Sequence, residues 1–481
     1  MKKEKQQKKS KKQTRNREFA VIAYLFLGLF LCLMLYMVYF QVFKSEDFIN
    51  SPYNTRQDTF SSYVIRGEIR TADGKVLAET ITDGNGNETR NYPYGDMYAH
   101  VVGFSTNGKS GIESTMNFNL LRSHSFIAER VINEIKGEKN TGDNVVTTLQ
   151  SNLQETAYAA LGTYNGAVIV IEPATGKILA MVSKPDFDPN TIEEDWEAIT
   201  AEDNEDSVLL NRATQGLYPP GSTFKILTTL EYIRENPDYE NYSFDCGGEY
   251  TAEGTTIHCY KNLVHREESL EDSFANSCNA SYANLGLTLD KSSFRKLCSD
   301  LLFNKTLPGN FETGKSQFVL DENSSDGMVM QTAIGQGETL VTPLHMLLLT
   351  SAIANDGVLM KPYVVDHTEN EDGVAVKDYH PSVSNELITK EEAKLMQGFM
   401  AAVVEEGTGS ALNGQSYTAY GKTGSAEFSN DKSESHSWFT GYAHREDKAD
   451  IAVVVIAEGA GSGSAVAVPI AKQIFSAYYG E

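Results

Sequence analysis

The chain has 481 residues, 41% of them hydrophobic and 10% aromatic, which excludes wholesale disorder and gives about three domains' worth of chain. Its formal net charge of −24 hides a split: residues 1–17 hold nine cations and one anion, and the rest holds 32 cations against 64 anions. An acidic bulk of that size repels phosphate backbones and argues against a nucleic-acid partner.

A basic arm, residues 1–18, comes first. Phe19 to Phe43 follows, without charge or proline. As a helix rising 1.5 Å per residue it spans roughly 37 Å, enough for the hydrocarbon core of a bilayer. A cleaved signal peptide carries an apolar region of only about 7–15 residues, so this run reads as an uncleaved anchor. The positive-inside rule places the arm in the cytoplasm and everything after Lys44 outside, on a single-pass cell-membrane protein. Residues 46–140 are turn-rich. Their VIRGEIRTADGKVLAETIT has an Asp-Gly turn between apolar flanks and reads as a hairpin in an extended β-containing module.

From residue 145 the pattern changes. VVTT is a short strand, and Thr148 or Ser151 is placed to cap a helix running through Leu161. GAVIVIE and KILAMVS form an apolar hairpin, and the acidic TIEEDWEAITAEDNED reads as a solvated surface segment. Strands return at AYGKTGSAE, SWFTGYA and ADIAVVVIAEG before a closing helix, SAVAVPIAKQIFSAYYG. Both ends of residues 145–481 therefore build one sheet of an α/β domain with flanking helices. Cys246 and Cys259 bracket a second hairpin. A bridge between them and a set of four buried thiols, with Cys278 and Cys298, fit this pattern equally. No Cys-x-x-Cys pair or histidine cluster has zinc spacing, so no metal is expected.

The passage LYPPGSTFKILTTLEYI carries the most chemistry. Its rigid Pro219-Pro220-Gly221 turn sets Ser222 at a helix start, with Lys225 one turn on along the same face. A serine needs an adjacent base, and a lysine serves when burial and nearby cations lower its pKa. The helix start also presents free N–H groups to a developing oxyanion. Ser-x-x-Lys recurs at Ser293 to Lys296 and Ser429 to Lys432, both in polar surroundings that read as solvated surface. Ser277 and Asn279 follow 55 residues after Ser222 at the start of an apolar helical run, and Lys422-Thr423-Gly424 lies 145 residues further on a strand. Taken singly, Ser277 could be a helix cap and Gly424 either a bulge or a point of close ligand approach.

The ordered triplet resembles the penicillin-binding protein and serine β-lactamase superfamily. It is most similar to the class B penicillin-binding proteins, whose other passages are matched by RGEIRTADGKVLAE, GAVIVIEPATGKILAMVSKPDFDPN, AIGQGETLVTPLHM and EEGTGSAL. The resemblance implies an anchor at 19–43, a β-rich pedestal or dimerisation-like domain at 46–140 and a transpeptidase domain at 145–481. It implies a peptidoglycan D,D-transpeptidase inhibited by β-lactams, with no cofactor and with a multi-span membrane glycan polymerase as partner. Ser222 would be the acylated nucleophile and Lys225 its base. Ser277 would relay a proton, Asn279 would hold the donor backbone, and Lys422 would steer the terminal carboxylate and help lower the pKa of Lys225. Thr423 would contact that carboxylate, Gly424 would lie beside it, and the N–H groups of Ser222 and Ser425 would form the oxyanion hole. Cys278 stands where many relatives have aspartate. A D,D-carboxypeptidase or β-lactamase, a β-lactam sensor, and a catalytically silent wall-synthesis scaffold are the rival readings.

Overall fold

The computed structural model describes residues 2–44, 63–201, 204, 206–428 and 435–480. The start of the 46–140 module and the Ser429 to Lys432 repeat lie outside them. The chain divides into two compact units, residues 1–59 and 60–481. The first contributes one helix, Lys2–Phe43, in which the basic arm runs straight into the apolar stretch. Within it Arg17–Val42 is the only span among the described residues long and apolar enough to cross a membrane, 26 residues or about 39 Å.

The second unit is built around a five-stranded antiparallel sheet. Its strands are β1 (Gly166–Glu172), β2 (Lys177–Lys184), β3 (Thr418–Glu427), β4 (Ser435–Arg445) and β5 (Lys448–Ala457), in the spatial order β3-β4-β5-β1-β2. The expected joining of early and late strands is present, with Ile169 opposite Val454 at the seam. Helices cover both faces, which is why β1 and β5 are almost continuously apolar rather than alternating. On one face, Leu153, Ala157 and Leu161 of helix Ser151–Leu161 and Ile470, Ile474 and Phe475 of helix Ala467–Tyr479 pack on Val168, Val170, Val453 and Val455. On the other face, helix Pro343–Ala354, buried from Pro343 to Ile353, lies against β1 and β5.

Two local expectations are corrected. Neither Thr148 nor Ser151 caps the helix ending at Leu161; its N-cap is Gln150. Thr148 Oγ1 donates to Ile178 O at 2.5 Å, and Ser151 donates to Asp73 through both its N–H and its hydroxyl. A carboxylate from the Asp-Gly turn of the first module thus occupies the helix start, where the backbone dipole favours negative charge. The acidic segment is also more than solvated surface. It forms helix Ile192–Ile199, whose Ile192 is buried and whose Trp196 meets Phe104 edge-on at 6.0 Å.

The first module is closed by residues far along the chain. Its sheet runs, in spatial order, Ala375–Asp378, Val365–Glu369, Asn144–Thr147, Ile69–Arg70, Val76–Thr82 and Glu88–Asn91. Beside it Glu113, fully buried, binds Arg66 Nη2 at 2.5 Å and Arg90 Nε at 2.7 Å. Burial alone would raise the Glu113 carboxyl; the two guanidinium groups outweigh it and hold it below its usual value. Arg90 also donates to Gly67 O at 2.8 Å, so this ion cluster ties the start of the module to its hairpin. Glu113→Ala should leave two guanidinium groups buried without their carboxylate and destabilise the second unit by about 3–5 kcal/mol. Denaturant unfolding of the variant checks this, and a loss under about 1 kcal/mol would contradict it.

Candidate active site

Ser222 lies in the tight helical turn Gly221–Phe224, which continues into helix Lys225–Glu235. The turn is gripped from several directions. Trp438 Nε1 donates to Pro219 O at 3.1 Å, Thr223 Oγ1 donates to Pro220 O at 2.7 Å, and Gly221 N donates to Gly335 O at 2.9 Å. Gly221 has φ +52° and packs against edge strand β3, where a Cβ would come within 3.0 Å of Ser425 O. Gly335, φ +76°, lies so close that a Cβ there would fall 2.0 Å from Gly221 O. Beneath the turn Phe224 is enclosed by Phe294, Phe303 and Phe318, with ring centres 5.8–6.1 Å away. Ser222 itself is half-buried, and its hydroxyl makes no hydrogen bond among the described residues.

Lys225 is fully buried and aimed at the Ser277–Asn279 segment. Its Nζ donates to Ser277 O at 2.7 Å, to Asn279 Oδ1 at 2.8 Å and to Ser277 Oγ at 3.3 Å, one acceptor for each of its three donors. Its Nζ also lies 4.9 Å from the centre of the Tyr282 ring. Lys422, equally buried, reaches the same hydroxyl from β3, with Nζ 2.9 Å from Ser277 Oγ and 3.3 Å from Thr423 O. Burial lowers the Lys225 amine to about 8. Lys422 is pushed well below the ordinary lysine value, first by burial and then by the charge on Lys225.

Ser277 is not the helix cap. Cys278 holds that position, its sulfur accepting from Ser281 N at 3.4 Å, ahead of helix Asn279–Thr288. Ser277 instead adopts φ +59°, a left-handed conformation uncommon outside glycine, which keeps its hydroxyl and carbonyl on the lysine side. The Asn279 amide is used at both ends, since its Nδ2 donates to His258 O at 3.0 Å.

On β3, Thr423 Oγ1 is paired with Thr408 Oγ1 at 2.6 Å, and Ser425 Oγ accepts from Gly463 N at 3.2 Å. Gly424 forms no bulge, because the β3–β4 register is unbroken from Thr418 to Glu427. A Cβ at Gly424 would lie 3.1 Å from Pro220 O and from Thr223 Cγ2, so the glycine serves close packing of the strand on the Ser222 turn. Ser293 and Lys296 are exposed on helix Lys291–Asp300, away from this group.

Sequence reasoning missed several contributors. Thr408 and Gly335 lie in EEGTGSAL and AIGQGETL, passages that resemble family segments but had no role assigned. Tyr218 donates to Glu458 Oε1 at 2.7 Å and Arg212 Nε to the same oxygen at 2.8 Å, a brace immediately before the proline pair. Nothing local marks Glu458, which arrives only through the sheet topology. Of the two arrangements the sequence allows for the cysteines, the structure has the four buried thiols, Cys246, Cys259, Cys278 and Cys298. Cys246 and Cys259 are unbridged with sulfurs 3.6 Å apart, and Cys259 and Cys278 sulfurs are 3.7 Å apart. With His265 they form one group of potential metal ligands. Their order, Cys-x₁₂-Cys-x₅-His-x₁₂-Cys, has no short-range spacing to betray it.

Comparison with known proteins bears directly on this arrangement. Residues 166–476 match the penicillin binding protein transpeptidase domain, and residues 66–145 match the penicillin binding protein A dimerisation domain. Peptidoglycan D,D-transpeptidase PbpA of Mycolicibacterium smegmatis is 30% identical over 91% of this chain and 94% of its own. The D,D-transpeptidase domain of a peptidoglycan glycosyltransferase from Eggerthella lenta superposes with a TM-score of 0.77 at 30% identity, over 87% of this chain and 99% of that one. A penicillin G acyl-enzyme complex of penicillin-binding protein A from Mycobacterium tuberculosis superposes with a TM-score of 0.77 at 25% identity, over 86% and 100% of the two chains. Since the matched region contains the Ser222 turn, the Ser277 segment and β3 together with the sheet that assembles them, the chain belongs to the penicillin-binding protein transpeptidase family, among its class B members.

Proposed function

We propose that this chain cross-links peptidoglycan stem peptides by serine acyl transfer, and that the observation carrying this reading is the convergence of Lys225 and Lys422 on Ser277, with a Ser222 hydroxyl that makes no hydrogen bond among the described residues. Ser222 Oγ attacks the penultimate D-alanyl carbonyl while the neutral amine of Lys225 takes its proton. The N–H groups of Ser222 and Ser425 receive the carbonyl oxygen as it becomes an oxyanion. When the C–N bond breaks, the proton passes through Ser277 to the leaving D-alanine. The amine of a neighbouring stem then attacks the Ser222 ester; the new amide bond forms as the acyl C–Oγ bond breaks, and the amine's proton returns through Lys225 to Ser222 Oγ. A β-lactam enters the first step alike, but its leaving amine stays tethered and blocks the second.

Lys422 steers the terminal carboxylate toward β3, Thr423 contacts it, and the glycine at 424 lets the strand lie close to the nucleophile. Asn279 holds Lys225 and the donor backbone. Residues 46–140 act as pedestal and residues 145–481 as catalytic domain. The +8 arm stays in the cytoplasm, the helix crosses the bilayer, and the catalytic domain faces the wall. Polymerisation of the glycan falls to a separate multi-span membrane partner.

Incubation with a stem-peptide donor and an amine acceptor, followed by mass spectrometry, separates this reading from its rivals. A cross-linked dimer is expected; hydrolysed donor alone would mark a carboxypeptidase, and no turnover a scaffold. Ser222→Ala should lower covalent labelling by fluorescent penicillin by at least about 10³-fold, whereas Ser293→Ala should label as the wild type does. Lys422→Met should slow acylation by about 10²-fold because Ser277 Oγ loses the donor that Lys422 Nζ supplies, and Lys422→Arg by less because a nitrogen donor is kept. An Lys422→Met variant at the wild-type rate would remove that residue from the site. Protease added to intact protoplasts should digest all but a small N-terminal piece; full protection would reverse the orientation.

A further inference from the structure

Helix Ile127–Lys136 of the first module presents its apolar side to solvent. Ile127, Val131 and Ile135 follow one another at four-residue spacing with Ile132 beside them, so the helix has one apolar face. A surface helix of a globular protein lays such a face on the core. Here it points outward: Ile127 is 77% exposed, Ile135 81%, and Val131 and Ile132 48% each, with Phe126 just before the helix at 73%. Among the described residues, none from this helix enters the hydrophobic core. The inward side is polar instead. Asn133 is half-buried and its Nδ2 donates to Asn140 Oδ1 at 3.1 Å, and the segment before the helix is held by His124 Nδ1 against Asp143 Oδ2 at 2.5 Å. Folding therefore leaves the apolar face unused.

Two observations say what covers it. The first is chain continuity with the anchor. The chain that leaves the anchor helix at Phe43 enters the second unit beside this helix, because strand Val64–Ile65 pairs with Asn140–Thr141, the strand that holds Asn133. The second is charge. Residues 18–481 hold 32 cations against 64 anions, a balance that an anionic lipid surface repels. Residues 122–139 depart from it, with four cations (Arg122, Arg130, Lys136 and Lys139) against three anions. Arg130 and Lys136 are exposed on the two sides of the apolar face. There their long side chains reach lipid phosphates while the apolar side chains enter the acyl boundary.

We propose that helix Ile127–Lys136 docks on the bilayer surface, with Phe126, Ile127, Val131, Ile132 and Ile135 in the acyl boundary and the polar side against the module. A helix this short binds lipid weakly by itself. The anchor turns its encounter with lipid into an intramolecular event, so a weak contact is filled. Two attachments restrict how the second unit stands on the bilayer, which a single attachment leaves free. The docking rests on the proposed membrane-spanning reading of helix Lys2–Phe43.

The test uses the full chain in vesicles of equal parts phosphatidylglycerol and phosphatidylethanolamine, with nitroxide quenchers on the acyl chains of some lipids. An environment-sensitive fluorophore is placed on Ile132→Cys in a Cys32→Ser background, whose remaining cysteines are buried. It should lose at least about half its emission to the quencher, whereas the same fluorophore on the exposed Ser293→Cys should keep its emission. Quenching at position 132 should persist in phosphatidylcholine vesicles and at high salt, because apolar burial carries it. Adding Ile127→Ser and Ile135→Ser should at least halve the quenching, with penicillin labelling unchanged as the sign of an intact fold. An unquenched label at position 132 overturns the proposal. Quenching that disappears at fewer than one chain per vesicle assigns the face to a second copy and overturns it as well. A fluorophore on the native Cys32 tests the anchor separately. Quenching there without quenching at position 132 rejects the docking and leaves the anchor standing; the reverse pattern supports the docking and rejects the anchor.

Discussion

Two fully buried lysine amines share one serine hydroxyl, and that constraint shapes the rest of the molecule. Neither Lys225 nor Lys422 has any exposed surface. A buried ammonium is costly unless its donors are met, and in a low-dielectric site two of them repel. The outcome is a division of labour in the hydrogen bonding. Lys225 has three acceptors from the Ser277–Asn279 segment, whereas Lys422 has Ser277 Oγ and its neighbour's carbonyl. Burial first, and then its companion's charge, drive Lys422 toward the neutral amine. That ordering reverses the emphasis of the sequence-based expectation, in which Lys422 acted on Lys225.

Keeping the amines dry and in register demands rigid support, and the fold supplies it through close backbone contacts. Edge strand β3 abuts the Ser222 turn at Gly221 and Gly424, and Gly335 presses on the turn from the other side. No side chain larger than hydrogen fits the Gly335 contact without displacing the nucleophile, and a misplacement of about 1 Å can cost two orders of magnitude in rate. The Tyr218–Glu458–Arg212 brace and the Trp438 indole fix the entry to the same turn. Thus residues from 212 to 463 converge because both ends of the domain share one sheet.

The chemistry was legible where it is local. Ser222 and Lys225 sit one turn apart in a continuous run of helical residues, and the β1–β2 hairpin shows apolar runs that mark its strands. What escaped was long-range or conformational. Glu458 is unremarkable in sequence until β5 delivers it to Tyr218. The left-handed Ser277 backbone has no sequence sign, since no glycine or asparagine marks it, and the helix cap passed to Cys278 instead. Strands Val365–Glu369 and Ala375–Asp378 complete a sheet begun some 300 residues earlier, which no periodicity could place. The cysteine and histidine cluster was missed because its members come from separate segments with long spacings.

The central claim is that burial sets Lys225 as a base usable near neutral pH. Its most direct test is the rate of acylation of the wild-type protein by a β-lactam between about pH 6 and pH 10.5. Only the neutral amine can accept the Ser222 proton, so the rate should rise with pH as Lys225 deprotonates and level off above its lowered pKa of about 8. A limb centred near the ordinary lysine value of about 10.4, or a flat profile, would contradict it.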